Sequence, residues 1–344
     1  MILYIHSLML PGTISKENTY DSVTTKHEQI LLTLYSAFVL FVGLFGNSLV
    51  VWLTYRPATL PINKIYLLFI RNLAFADIVY ILVRVLPVTL SNMFKRWLLG
   101  NAACFLSSIF AISAALSSIN FVTALSIHRV ILVMFPLKRV LLKHVKIICV
   151  VIWFYSSLFT IRYAITQNET RFVAVVATCI LIYRKNGIEN IVYTAVFIVI
   201  PFIIIIAANI TLWVTAYKTL KPHYLTGNIL QSSLNLHNQR KKIAAKRQRR
   251  FTATLTIVST LLIISWAPAV TKRLEWVSSA SSELKRTTIY LYFVNTFCNP
   301  IVYTLVNRNI VNYVKSRIST RSQLKSNKDN IKQNYSVNPK YTVY

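Results

Sequence analysis

Asp77 is the residue that most demands an explanation. It is the only acid in the core of any long apolar block, and a carboxylate there is costly unless it gains a counter-ion or a proton. Other polar groups raise the same question: Asn47 after Gly46, and the run Asn299-Pro300-Ile301-Val302-Tyr303. Pro268 and Pro300 each remove a helix donor, so the segments that carry them are expected to bend. Arg84, Arg162 and the pair Lys272-Arg273 are cations within or at the ends of apolar blocks. An intramembrane charge is a functional hypothesis by default, here for an anionic group on a ligand. Snorkelling to an interface is the alternative for Arg162, Lys272 and Arg273, whereas Arg84 lies deeper and is the foremost candidate for a ligand contact. No block carries a metal cluster or a nucleophile with its base, so an enzyme is not expected.

The elements that must position these groups are helices in lipid. The chain has 344 residues, 55% of them hydrophobic and only 14% charged, and the apolar residues arrive in blocks that reach the roughly 20 residues a spanning helix needs. Spans are expected near Gln29 to Tyr55, Asn63 to Leu90, Asn101 to Met134, His144 to Thr166, Gly187 to Tyr217, Arg249 to Trp276 and Leu284 to Val306. Blocks this uniform do not fit the alternation of barrel strands, and helices satisfy every backbone group in lipid. The fold class is therefore an all-α membrane protein, a seven-helix bundle. Residues 1–28 form an N-terminal segment, 29–307 the membrane domain, 308–318 a short amphipathic surface helix and 319–344 a tail without apolar period, expected to be disordered. Met1 to Pro11 lacks a basic leader, so the first span is expected to insert by itself.

The net charge of +29, from 38 Lys and Arg against 9 Asp and Glu, would suggest nucleic acid in a soluble chain. Here it falls mostly in loops on one side, notably between Lys218 and Arg250, and marks topology and contact with anionic lipid; nucleic acid is not an expected partner. The N-terminus is then outside and the C-terminus inside. Asn168-Glu169-Thr170 lies in an outer loop and is the acceptor expected to be glycosylated.

Each of the seven spans contributes a landmark, in order: Asn47; Asp77 in Asn72-Leu73-Ala74-Phe75-Ala76-Asp77; Cys104, and Ser126-Ile127-His128-Arg129-Val130 before Pro136-Leu137; Trp153; Pro201; Ser265-Trp266-Ala267-Pro268; and Asn299-Pro300-Ile301-Val302-Tyr303. In this combination the chain resembles the rhodopsin-like G-protein-coupled receptors from about residue 29 to residue 318. The resemblance implies that Asp77, with Ser118, Asn295 and Asn299, holds an allosteric sodium ion beneath Trp266, in keeping with the preference of hard cations for oxygen; no other cofactor is expected. A protonated Asp77 hydrogen-bonded to Asn47 is the alternative. It also implies that Trp266 and Tyr303 switch about the kinks at Pro268 and Pro300, although ordinary packing would explain both aromatics. By the same resemblance Arg129 receives a heterotrimeric G protein, arrestin is a further partner, and Cys104 pairs with Cys179 outside the cell. Cys149 and Cys298 then remain as small apolar packers.

Several positions depart from the family pattern. His128 stands where an acid usually precedes Arg129, Val130 where a tyrosine follows, Asn209 where the fifth span has a tyrosine, and Leu262 where a phenylalanine lies below the tryptophan. An imidazole cannot form the acid's ion pair, so one restraint on Arg129 is missing, with raised basal activity or weak coupling as the expected result. Ala111 occupies the aspartate position of amine receptors and Phe293 the retinal lysine position of opsins. A peptide with acidic groups or an anionic small molecule is the expected ligand, bound near Arg84, Ala111, Arg162, Trp266, Lys272 and Arg273. The competing reading is a scavenger or decoy of the same fold in the plasma membrane that binds without coupling. A transporter would want inverted halves or charges along a pathway, and neither is present.

Overall fold

A computed structural model describes residues 24–55, 63–135, 140–167, 170–181, 188–218, 249–250, 252–268 and 282–306. Helix α1 runs over Lys26–Thr54, α2 over Lys64–Phe94, α3 over Gly100–Met134 and α4 over Leu142–Gln167. Helix α5 is built from consecutive helical segments at Ile188–Thr194, Ala195–Val199 and Ile200–Lys218; α6 covers Thr252–Pro268 and α7 Ser282–Val306. Between α4 and α5 an antiparallel hairpin pairs β1 (Thr170–Val173) with β2 (Thr178–Leu181), so that Phe172 lies opposite Cys179.

Local chemistry sets the helix limits. The first helix begins at Lys26, before the expected Gln29, because Thr25 and Glu28 form a reciprocal capping box that satisfies two backbone donors. Asn63 caps α2 by accepting from the Ile65 N–H. The second helix outlasts the expected Leu90 and ends at Phe94 even though it contains Pro87. Its π-helical segment, Ile81–Val85, lies immediately before the segment that carries the proline. The residues expected to form the outer part of the sixth span, from 269 to 276, lie outside the described residues, as do the surface helix, the tail, Asn168, Lys272 and Arg273.

Helix α3 is the central rod, in contact with α2, α4, α5 and both strands, while α1 packs against α2 and α7. Leu73, Leu116, Phe121, Phe197 and Leu262 lie in one buried cluster; Val39, Ile81, Val85 and Phe293 lie in the other. The outward faces are also apolar: Phe38, Phe41 and Phe45 on α1 and Ile147, Val150 and Phe154 on α4 are exposed. A bundle apolar on both faces is stable only in lipid. Among the described residues, five of the rods are long and apolar enough to cross a membrane by themselves. Hydroxyls buried within the bundle turn back on their own helices, as Thr123 does to the Ile119 carbonyl, Thr160 to Ser156 and Ser259 to Leu255. The protein is a multi-pass membrane protein with a seven-span bundle.

Candidate functional site

At the middle of the bundle Asp77 is fully buried. Its carboxylate accepts from Asn299 Nδ2 at 2.9 Å and from Ser118 Oγ at 3.3 Å, which joins α2 to α7 and α3. Asn47 has a different task from the one considered above. Pro300 lacks the N–H that would reach the carbonyl four residues back, that of Thr296, and Asn47 Nδ2 donates to that carbonyl at 2.8 Å while also reaching Gly43 O at 2.9 Å. The asparagine therefore repairs the break made by the proline, and Asp77 is held by Asn299 and Ser118. The repair needs α1 close to α7. A Cβ on Gly46 would lie 2.8 Å from Pro300 Cγ, so only glycine fits there.

Around Asp77 the polar atoms outnumber their protein partners. Asn295 Oδ1 and Nδ2, Asn299 Oδ1, Ser113 Oγ, Ser117 Oγ, Trp266 Nε1, Tyr292 OH and Tyr303 OH are buried without a hydrogen-bond partner from the protein. Such groups are costly in a low dielectric. Oxygens from Asp77, Ser118, Asn295 and Asn299, facing an acid with neutral neighbours, fit a small hard cation and its waters. Trp266 lies edge-on to Tyr292 with ring centroids 5.1 Å apart, and Tyr292 packs on Tyr80 at 4.5 Å. Ala111 and Phe293 are buried in the same cluster. Leu262 is fully buried in the other one.

One end of the bundle is organised around the bond between Cys104 and Cys179, which fixes strand β2 to α3. Arg84 is buried against this strand, with Nη1 donating to Thr178 Oγ1 at 2.8 Å and to the Cys179 carbonyl. That is a docking role for the residue expected to meet a ligand. The π segment carries Arg84. Arg162 is exposed on α4. Here too, Arg286 pairs with Glu28 at 3.2 Å and donates to the Val175 carbonyl. Gln29 Nε2 reaches the Asn92 carbonyl, Asn92 Nδ2 the Tyr290 hydroxyl, and the Tyr35 hydroxyl the Tyr290 carbonyl.

At the other end Arg129 sets its guanidinium carbon 4.4 Å from the centre of the Tyr66 ring on α2. His128 is turned into the bundle, 4% exposed, its ring 6.0 Å from Phe69 and its Nε2 buried without a partner. Asn209 Oδ1 accepts from Thr256 Oγ1 at 3.1 Å, and the same hydroxyl accepts from Trp213 Nε1 at 2.9 Å, so that α5 and α6 are tied together. Arg71 reaches Thr54 and lies over Tyr55, closing the end of α1. Tyr303 is buried near the end of α7, and Pro268 is the last described residue of α6.

The profile of the seven-transmembrane receptors of the rhodopsin family matches residues 46–303. The chain belongs to that family. This receptor is similar to the type-1 angiotensin II receptor of Cavia porcellus, 34% identical over 139 residues that cover 40% of the chain and 38% of the relative. It is similar to a GQ-coupled rhodopsin of Mizuhopecten yessoensis, 24% identical over 82% of the chain and 58% of the relative. The cysteinyl leukotriene receptor 1 of Cavia porcellus is 29% identical over 60% of the chain and 62% of that protein. The matches thus span between about two fifths and three fifths of these relatives' own lengths. Squid rhodopsin shares the fold at a TM-score of 0.70 and 18% identity, over 86% of this chain and 87% of that one. The family is one of receptors.

Within the receptor the sequence pointed to Asp77, Ser118 and Asn299, which the structure brings into contact, and to Cys104 with Cys179, which it bonds. It did not point to Tyr66, Thr256, Trp213, Tyr292 or Arg286. Only the link from Asn47 to Pro300 carried a signal that could have been used, since a proline within a helix leaves the carbonyl four residues earlier in need of a donor.

Proposed function

We propose that the protein is a ligand-activated receptor of the plasma membrane, with its N-terminus outside, that couples to heterotrimeric G proteins at the Arg129 end. The observation that carries this reading is a set of buried polar groups on α2, α6 and α7: Asp77 bonded to Asn299, with Trp266, Tyr292 and Tyr303 carrying polar atoms short of protein partners. Groups satisfied by waters and an ion have more than one arrangement of similar energy, which a ligand near Trp266 can bias. Residues Asp77, Ser118, Asn295 and Asn299 would hold sodium, which supplies the charge that the carboxylate lacks and favours the resting arrangement. Bending at Pro300, whose break in α7 is patched by Asn47, then carries the change toward Tyr303.

The ligand proposed is a peptide with acidic groups or an anionic small molecule that uses the cations Arg162, Lys272 and Arg273. Relatives named for angiotensin II and for cysteinyl leukotriene support a diffusible ligand, as does Phe293 at the lysine position of opsins. Arrestin and anionic lipid are further proposed partners, and Asn168 the proposed glycosylation site.

A decoy receptor of the same fold is favoured by two observations: the residue before Arg129 is a buried imidazole, and Asn209 is engaged with α6. Ligand-free nucleotide exchange on G proteins, with wild type and Arg129→Ala at matched surface density, separates the two readings. Coupling gives a basal rate that the substitution abolishes. Silence in both, with constitutive internalisation, replaces the proposal with the decoy.

A further inference from the structure

We infer that Tyr66 is the positioning residue that restrains Arg129 in this receptor, taking over from another helix the task of the acid absent at position 128. The inference deepens the coupling proposal and rests on it for its meaning, though not for its test.

A guanidinium at the end of a membrane helix needs an electron-rich partner or water. The neighbouring side chain on α3 cannot supply one: His128 is 4% exposed, faces the Phe69 ring, and carries no negative charge in either protonation state. What the structure sets under Arg129 is the face of Tyr66, 4.4 Å from the guanidinium carbon and itself only 3% exposed. An aromatic face attracts a guanidinium through its quadrupole, and more strongly where water is excluded. Tyr66 and Phe69 are three residues apart on α2 and so share a face. That face meets the pair Arg129 and His128 ring by ring, Tyr66 under the cation and Phe69 beside the imidazole. The consequence is a change of anchor. An acid next to Arg129 in sequence would ride on α3 with it, whereas Tyr66 ties α3 to α2, so freeing Arg129 requires the two helices to part.

The test is a thermodynamic cycle on the purified full-length receptor in lipid nanodiscs, read as melting temperature. Tyr66→Phe keeps the ring but loses the hydroxyl that bonds with Arg129 and should melt slightly below wild type, and Tyr66→Leu should melt lower still. The gap between Phe and Leu should close when Arg129→Met removes the cation but keeps the stem, and His128→Asp should restore the Tyr66→Leu variant only while Arg129 is present. A gap of the same size with and without Arg129 would overturn the inference, because Tyr66 would then be packing alone. If Tyr66→Leu does not fold, fluorinated phenylalanines at position 66 replace it. They withdraw ring electrons with little change of shape, and melting should fall with each added fluorine when Arg129 is present and stay level when it is not. Ligand-free nucleotide exchange is measured in parallel and should rise about two- to fivefold in Tyr66→Leu. Closure of the gap without exchange in any variant leaves the restraint standing and removes the coupling proposal instead.

Discussion

The two ends of the bundle are stitched in different ways. At the disulfide end the links form one connected web. Glu28 on α1 pairs with Arg286 on α7, which also holds the turn of the hairpin; Gln29 on α1 holds Asn92 on α2, which holds Tyr290 on α7; and Arg84 on α2 meets the strand that is bonded to α3. At the Arg129 end the described links are separate pairs: Arg71 with Thr54 between α2 and α1, Tyr66 with Arg129 between α2 and α3, and Thr256 with Asn209 and Trp213 between α6 and α5. A web shares strain among its members and opens as a unit, whereas isolated pairs open one at a time. The difference suits a frame that receives at one end and responds at the other.

Cutting the web at its covalent link should have the largest effect. Cys104→Ser is expected to cost about 2–5 kcal/mol and most of the surface expression, and surface labelling at equal total protein measures it. Normal delivery would mean that the polar links hold the hairpin without the bond. Arg84→Leu comes next, at about 1–3 kcal/mol, because it leaves the buried Thr178 hydroxyl and Cys179 carbonyl without this donor; a thermal melt in detergent is the readout. At the other end Thr256→Val should cost only about 0.6 kcal/mol, the usual size of a single hydrogen bond between membrane helices, and should raise basal exchange while barely moving the melt. Combined with Tyr66→Leu its effect should add, whereas pairs of substitutions within the web should not. Smallest is Glu28→Gln. Glu28 is 41% exposed at its side chain, so its bridge to Arg286 contributes about 0.2–1 kcal/mol at low ionic strength, and its loss should fade as salt rises. An effect larger than that of Arg84→Leu would reverse the ranking of covalent, buried and exposed links.

The sequence made the spans legible because lipid demands long apolar blocks, and it made Asp77 legible because a lone acid there needs partners. The departures at His128 and Asn209 could be read only as losses. What the chain sets in place of the usual groups comes from other helices: Tyr66 from α2 for one, Thr256 from α6 for the other. No local pattern joins residues 63 positions or 47 positions apart, and a tyrosine within an apolar block looks like packing until its neighbour is known. The docking of Arg84 on the hairpin was hidden for a similar reason. Depth within a span was legible, but the hairpin that covers it was not, since four-residue strands such as Thr170–Val173 leave little alternation to detect. Arg286 lies at the polar start of α7, where a cation looks like an ordinary end-of-span residue.

The π turn at Ile81–Val85 divides α2 into two lengths whose phases are set separately. In a regular helix each residue advances the face by about 100° and a π turn absorbs about one extra residue, so straightening this segment with no residue removed would swing Asn92 away from α7 while Asp77 stayed against Asn299. The helix thus contains its own joint between a variable upper register and a fixed lower one. Losing one residue together with the π turn would keep both faces as they are, whereas losing either alone would re-aim the disulfide end without disturbing the polar core below.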